Sequence, residues 1–129
     1  MNIRAITIGF VLFLIAAVII ANTGNGEYFW PFIHKVRHAD KAGHIILFGT
    51  LSFLCNLTFP SRRFGRRPFL VTLTTLVLLV VISLEEISQA FIPIRHCHLF
   101  DWLAGLAGLA IGQIAALRCT RRLDHETPS

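Results

Sequence analysis

The stretch LVTLTTLVLLVVISLEEISQ, Leu70–Gln89, sets the reading of the whole chain. Its first part is an almost unbroken aliphatic run, yet it closes on two adjacent carboxylates and a glutamine. Alternation at period two is absent, so the run reads as a helix that is apolar all round until its last turns. A helix of that kind faces lipid or the inside of a bundle, where a carboxylate is expensive unless it faces other polar groups.

Three further apolar runs accompany it. The four cover about 3–21, 42–59, 69–91 and 100–117, each within the roughly 17–25 residues that an α-helix needs to cross a bilayer. The chain has 129 residues, 54% hydrophobic and 15% charged, with a mean hydropathy of +0.66. A soluble domain of this size has too little interior for that much apolar surface. In lipid each backbone polar group must be satisfied within its own segment, so helices follow. The expected fold is all-α, a single domain over 1–129 forming a polytopic membrane protein, a bundle of four transmembrane helices. The first run is too long for a signal peptide core of about 7–15 residues and lacks a good cleavage pattern, so it reads as a retained helix.

The net charge of +5 is clustered at the edges of the runs, as in RRFGRR and RCTRR. That placement marks membrane topology and headgroup contact, and it excludes a nucleic-acid face. With the amino terminus inside, eight Lys and Arg residues lie on the inner side and four (Lys35, Arg37, Lys41 and Arg95) on the outer side. Both termini are therefore expected in the cytoplasm. The tail DHETPS reads as a short disordered end.

On this layout the unusual residues gather at one level, the outer boundary. Asp40 and Lys41 precede the second helix and His44 lies inside it. Glu85, Glu86 and Gln89 occupy the end of the third, Arg95 the next connection, and Asp101 the start of the fourth. Asp40 and His44 are four apart, as are Glu85 and Gln89, so each pair can share a helix face. Adjacent glutamates project about 100° apart, so Glu85 and Glu86 cannot face one partner alike. On the fourth helix Asp101, Gly105, Gly108 and Gly112 run down one side, and small residues there let helix backbones approach. HCH at His96–His98 raises zinc, but no standard ligand spacing accompanies it, so neither a metal nor another cofactor is expected. Cys55, Cys97 and Cys119 read as free thiols. The aromatics Tyr28, Phe29, Trp30 and Phe32 read as an interfacial belt.

DKAGHIILFGTL (Asp40–Leu51) and EISQAFIPIRHCHLFDWLAGLAGLAIG (Glu86–Gly112) resemble the VanZ-like family of small bacterial membrane proteins. That family has an Asp-Lys-x-x-His opening to one helix and a Glu-x-x-Gln near the end of the next. An Arg follows, then an Asp that starts a glycine-containing helix. The matching positions are Asp40, Lys41, His44, Glu86, Gln89, Arg95, Asp101, Gly108 and Gly112. His98 stands where the family often has a second acid, and Gly105 where it usually has Asn. The resemblance makes Glu86 the central glutamate and Glu85 its neighbour. It also implies the bacterial cytoplasmic membrane and the cell envelope, and a link to glycopeptide resistance, since the founding member is associated with teicoplanin.

The leading expectation is thus an outer polar cup that binds or modifies an envelope lipid or lipid-linked precursor. Asp40, Lys41, Glu85, Gln89 and Arg95 would hold the ligand, and Glu86, His44 and Asp101 would orient it or move protons. The alternatives are a non-catalytic accessory subunit whose glycine face packs on a larger membrane partner or a second copy, and a small proton-coupled carrier.

Overall fold

The structure, a computed structural model, describes residues 2–29, 31, 35–36, 38–66, 70–95 and 97–126. Helices dominate: α1 (Ile3–Asn22), α2 (Gly26–Phe29), α3 (Ala39–Thr58), α4 (Leu73–Gln89) and α5 (Leu99–Glu126). Two short strands, β1 (Arg63–Phe64) and β2 (Val71–Thr72), pair antiparallel between α3 and α4, with Arg63 opposite Thr72. Among the described residues the fold is all-α but for that ribbon. Two helices among the described residues are long and apolar enough to cross a membrane, Ile3–Asn22 and Leu99–Asp124.

Local chemistry sets the helix ends, and three of them differ from the apolar runs by three residues or more. The Asn2 side chain caps α1 by accepting from the Arg4 N–H at 3.0 Å. α3 begins at Ala39, three residues before its apolar run, behind His38 in the left-handed conformation (φ 68°). Its early start places Asp40 in the first turn, where a carboxylate complements the helix dipole. α3 stops at Thr58 ahead of Pro60, as helices do when proline follows. α4 begins at Leu73, later than the run, because Thr72 is in extended backbone and its hydroxyl accepts from the Thr75 N–H at 3.1 Å. It ends at Gln89, so Glu86 lies only about 4.5 Å from the helix end at 1.5 Å per residue. α5 continues well past Leu117 to Glu126. The expectation of a disordered DHETPS tail is thereby corrected for Asp124–Glu126, which extend the helix; the last three residues lie outside the described ones.

The helices run up and down, which gives the bundle two distinct ends. At one end the Thr7 and Thr58 hydroxyls lie 2.7 Å apart, joining the start of α1 to the finish of α3, and Gln113 of α5 donates to the Leu70 carbonyl at 2.7 Å. At the other end an Arg95 guanidinium N–H donates to Asn22 Oδ1 at 3.1 Å, tying the α4–α5 connection to the finish of α1. The most extensive packing is α3 against α5; α1 packs on α3, and α4 on both α5 and α3. Leu51 and Leu54 of α3, Ile82 of α4, and Leu109 and Ala116 of α5 form the core. Outward faces stay apolar: Leu76, Val77, Val80, Val81, Leu84 and Ile87 of α4 are all exposed, at the three- and four-residue spacing of one helix side.

Candidate functional site

The glycines of α5 decide how close α3 and α5 come. A Cβ on Gly108 would lie 2.6 Å from the Ile45 carbonyl oxygen and 3.0 Å from the Gly49 nitrogen. One on Gly112 would run into the Gly49 carbonyl and lie 2.8 Å from Ser52 Cβ. At Gly105 the neighbour is the Phe48 ring, 3.1 Å away. The glycine face is therefore occupied inside the chain by α3. Ser52 is fully buried and donates to the Leu109 carbonyl across the same seam at 2.8 Å.

Fixing α3 against α5 positions the polar residues of the Arg95 end. Between α1, α3 and α4 lies a cavity of about 630 Å³, and Asp40, His44, Glu85, Gln89 and Arg95 all line it. They come from α3, α4 and the α4–α5 connection. Asp40 and His44 share a face because α3 starts early enough to include both. The His44 ring lies against Phe48, centroids 5.5 Å apart. Glu85 accepts from the buried Gln89 amide at 2.7 Å. Among the described residues no ion pair joins Arg95 to Glu85 or Asp40, and the guanidinium's partner is the neutral Asn22 amide. Lys41 is half-buried on α3 and does not line the cavity.

Glu86 faces elsewhere. It is 6% exposed, and its Oε1 accepts the His98 backbone N–H at 3.0 Å, which pins the α4–α5 connection. With Ser83, Ile87, Cys97, Leu99 and Trp102 it lines a second cavity, of about 480 Å³. Trp102 Nε1–H donates to Ser83 Oγ at 3.0 Å and closes α5 onto α4 there. Asp101 is buried in the first turn of α5. Cys97 is exposed; desolvation, the hydrogen bond its thiol makes to Glu86, and the negative charges of Glu86 and Asp101 push the thiol above its ordinary value. The structure thus brings Asp40, His44, Glu85, Gln89 and Arg95 together. Glu86 lines the second cavity and not the first, and the charges of Glu86 and Asp101 both act on Cys97. The 100° step between adjacent glutamates sends Glu85 to the first cavity and Glu86 to the second.

Of the HCH motif, His96 lies outside the described residues, as do Trp30, Phe32 and His34. Among the described residues no three His, Cys, Asp or Glu side chains converge as a metal site.

A polar group at the opposite end escapes a reading by charge. Thr72 Oγ1 donates to Asn56 Oδ1 at 2.6 Å, and Asn56 Nδ2 donates to Thr75 Oγ1 at 3.0 Å and to the Ser52 carbonyl at 2.8 Å. Gln113 Oε1 accepts the Thr72 N–H at 3.0 Å. All five of these residues are buried, and among the described residues no buried side-chain polar atom lacks a partner. The signal available in the sequence was an Asn and a Gln inside apolar runs, each of which needs a partner in an apolar bundle.

No protein-family model, curated protein or solved structure matches the chain.

Proposed function

We propose that the chain is a multi-pass protein of the bacterial cytoplasmic membrane, of VanZ-like type. In this reading α1, α3, α4 and α5 all cross the bilayer, both termini are cytoplasmic, and the Arg95 end opens outward. The cavity at that end is a cup for the headgroup of an envelope lipid or lipid-linked precursor. Two long apolar helices and the exposed aliphatic side of α4 support the membrane setting, since an apolar face of that extent needs a lipid or protein covering.

The observation that carries the reading is the gathering of Asp40, His44, Glu85, Gln89 and Arg95 from three segments around one cavity. A register-fixing network would pair its charges, because an unpaired charge in low dielectric is costly. Here the charges face a shared space instead. Arg95 holds an anionic group of the ligand, Glu85 and Asp40 accept from its donors, and His44 lies within the same reach. Glu86 holds the connection that carries Arg95 through its bond from the His98 N–H. The role is binding, with no reaction assigned. A link to glycopeptide resistance belongs to the same proposal and follows from the family resemblance alone.

The test is lipid and cell-wall precursor profiling of a deletion strain restored with Arg95→Ala or Glu85→Gln. Both variants are expected to insert and fold while failing to restore the wild-type profile. Full restoration by both would overturn the cup.

A further inference from the structure

Within that reading, we infer that the ligand is an amphiphile that lays one hydrocarbon chain along the cavity between α1, α3 and α4, below a headgroup carrying both a phosphate and an ammonium.

The cavity has two chemically different ends. Its polar residues lie at the Arg95 end, and beyond them the walls are aliphatic: Leu14 and Val18 of α1, Leu47 and Leu51 of α3, Leu78 and Val81 of α4. Along α3 the lining runs from Ala39 to Cys55, about 24 Å at 1.5 Å per residue. A volume of about 630 Å³ falls within the roughly 300–1,000 Å³ of small-molecule sites. A free headgroup would leave the aliphatic part empty, and a plain hydrocarbon would leave the charges of Glu85 and Arg95, whose hydrogen-bond partners are the neutral Gln89 and Asn22, without an opposite charge. α1 packs on α3 but barely on α4, so the cavity has a side along which a chain can enter from lipid.

The charge pattern narrows the headgroup. Two carboxylates, Asp40 and Glu85, line the same end as the Arg95 guanidinium. A phosphate alone would meet Arg95 but also face both acids. A zwitterion offers phosphate to Arg95 and ammonium to Glu85 and Asp40, and so matches both signs.

Gly43 is an independent observation. Glycine is disfavoured inside a helix, and Gly49, Gly105, Gly108 and Gly112 each have a close neighbour that accounts for it. Gly43 has none: a Cβ there would meet nothing within 4 Å, and the residue lines the cavity. Its missing side chain keeps cavity space open. Gly9 is equally unobstructed but lies outside the cavity, which makes it a matched control.

The experiment uses the purified full chain in detergent, with binding followed by native mass spectrometry and by the shift in thermal unfolding. The probes are lysophosphatidylethanolamine, glycerophosphoethanolamine (headgroup without chain) and a monoacylglycerol (chain without the charges). Wild type is expected to bind the complete amphiphile at least tenfold more tightly than either fragment. Gly43→Leu, and Ala17→Phe on the facing wall, should each lose at least tenfold in affinity while unfolding like wild type; Gly9→Leu should bind as wild type does. Equal binding of the monoacylglycerol, or full binding by Gly43→Leu and Ala17→Phe, overturns the inference. If Arg95→Ala abolishes binding while Gly43→Leu retains it, the chain placement falls and the cup stands. Binding that ignores Arg95 as well removes both.

Discussion

At the Gln113 end of the bundle, every polar side chain among the described residues that enters the interior is hydrogen-bonded within the chain, whereas at the Arg95 end charged side chains border open space. The first group, Ser52, Asn56, Thr72, Thr75 and Gln113, is neutral and buried, and it joins α3, β2, α4 and α5. The second group, Asp40, His44, Glu85, Gln89 and Arg95, is mostly charged and lines a cavity. Among the described residues, its carboxylates and guanidinium do not pair. A polar residue in an apolar bundle can thus serve the fold or a ligand, and its hydrogen-bond partners separate the two. Satisfied neutral groups specify packing; unpaired charges around a space are available to something that fills it.

The largest effect is expected where both ends are held in common, at the α3–α5 seam. Gly112→Leu would push a side chain into the backbone of Gly49, and overpacking that backbone must absorb should cost about 3 kcal/mol or more. Thermal unfolding in detergent would measure it, and near-wild-type stability would mean the seam is looser than described. Next comes Asn56→Leu at the closed end. It removes the bonds Asn56 makes to the Thr72 and Thr75 hydroxyls, leaving them their own 2.9 Å bond and a long 3.4 Å contact from Thr72 to Gln113. Weakening a buried network in this way should cost about 1–3 kcal/mol. The open end should behave otherwise. Glu85→Gln and Arg95→Ala each remove a part-exposed charge with no ionic partner, so unfolding should shift by less than about 1 kcal/mol, the range of weak surface charge interactions. A larger loss would place the Arg95 cluster with the structural group.

How much of this was legible follows from the kind of signal each feature leaves. Long aliphatic runs are visible at any register, so the main helices stand out. Their ends were less so, because Thr72 acts as a cap only once Gln113 from a distant helix takes its N–H, and because α3 absorbs Ala39–Lys41 although they lie outside its apolar run. Charge drew attention to the Arg95 end; the neutral Asn56 and Gln113 drew none, although both interrupt apolar runs. The separation of Glu85 from Glu86 is a matter of rotation. Periodicity gives the angle between them, but not which neighbour each meets, since that depends on how α4 packs on α5. Gly43 carries its meaning only in space, for a glycine that fits a seam and one that leaves a void look alike in sequence.

A smaller effect concerns the loop beside Glu86. Removing its charge by Glu86→Gln takes away one of the influences that disfavour the Cys97 thiolate, so the thiol should titrate at lower pH. Alkylation of Cys97 depends on the thiolate; it should therefore quicken severalfold at a fixed mildly alkaline pH, and its pH profile should move downward. Part of the upward shift should persist, because desolvation is its first cause. An unchanged profile would mean that Glu86 does not reach the thiol.

The most direct test of the difference between the two ends measures stability and lipid retention together, on Arg95→Ala and Asn56→Ala purified in parallel with wild type. Arg95→Ala is expected to unfold like wild type and to lose bound lysophosphatidylethanolamine, while Asn56→Ala unfolds earlier and retains the lipid at temperatures where it is folded. If Arg95→Ala instead lowers the unfolding midpoint as much as Asn56→Ala and still holds the lipid, both ends serve the fold and the division between them is wrong.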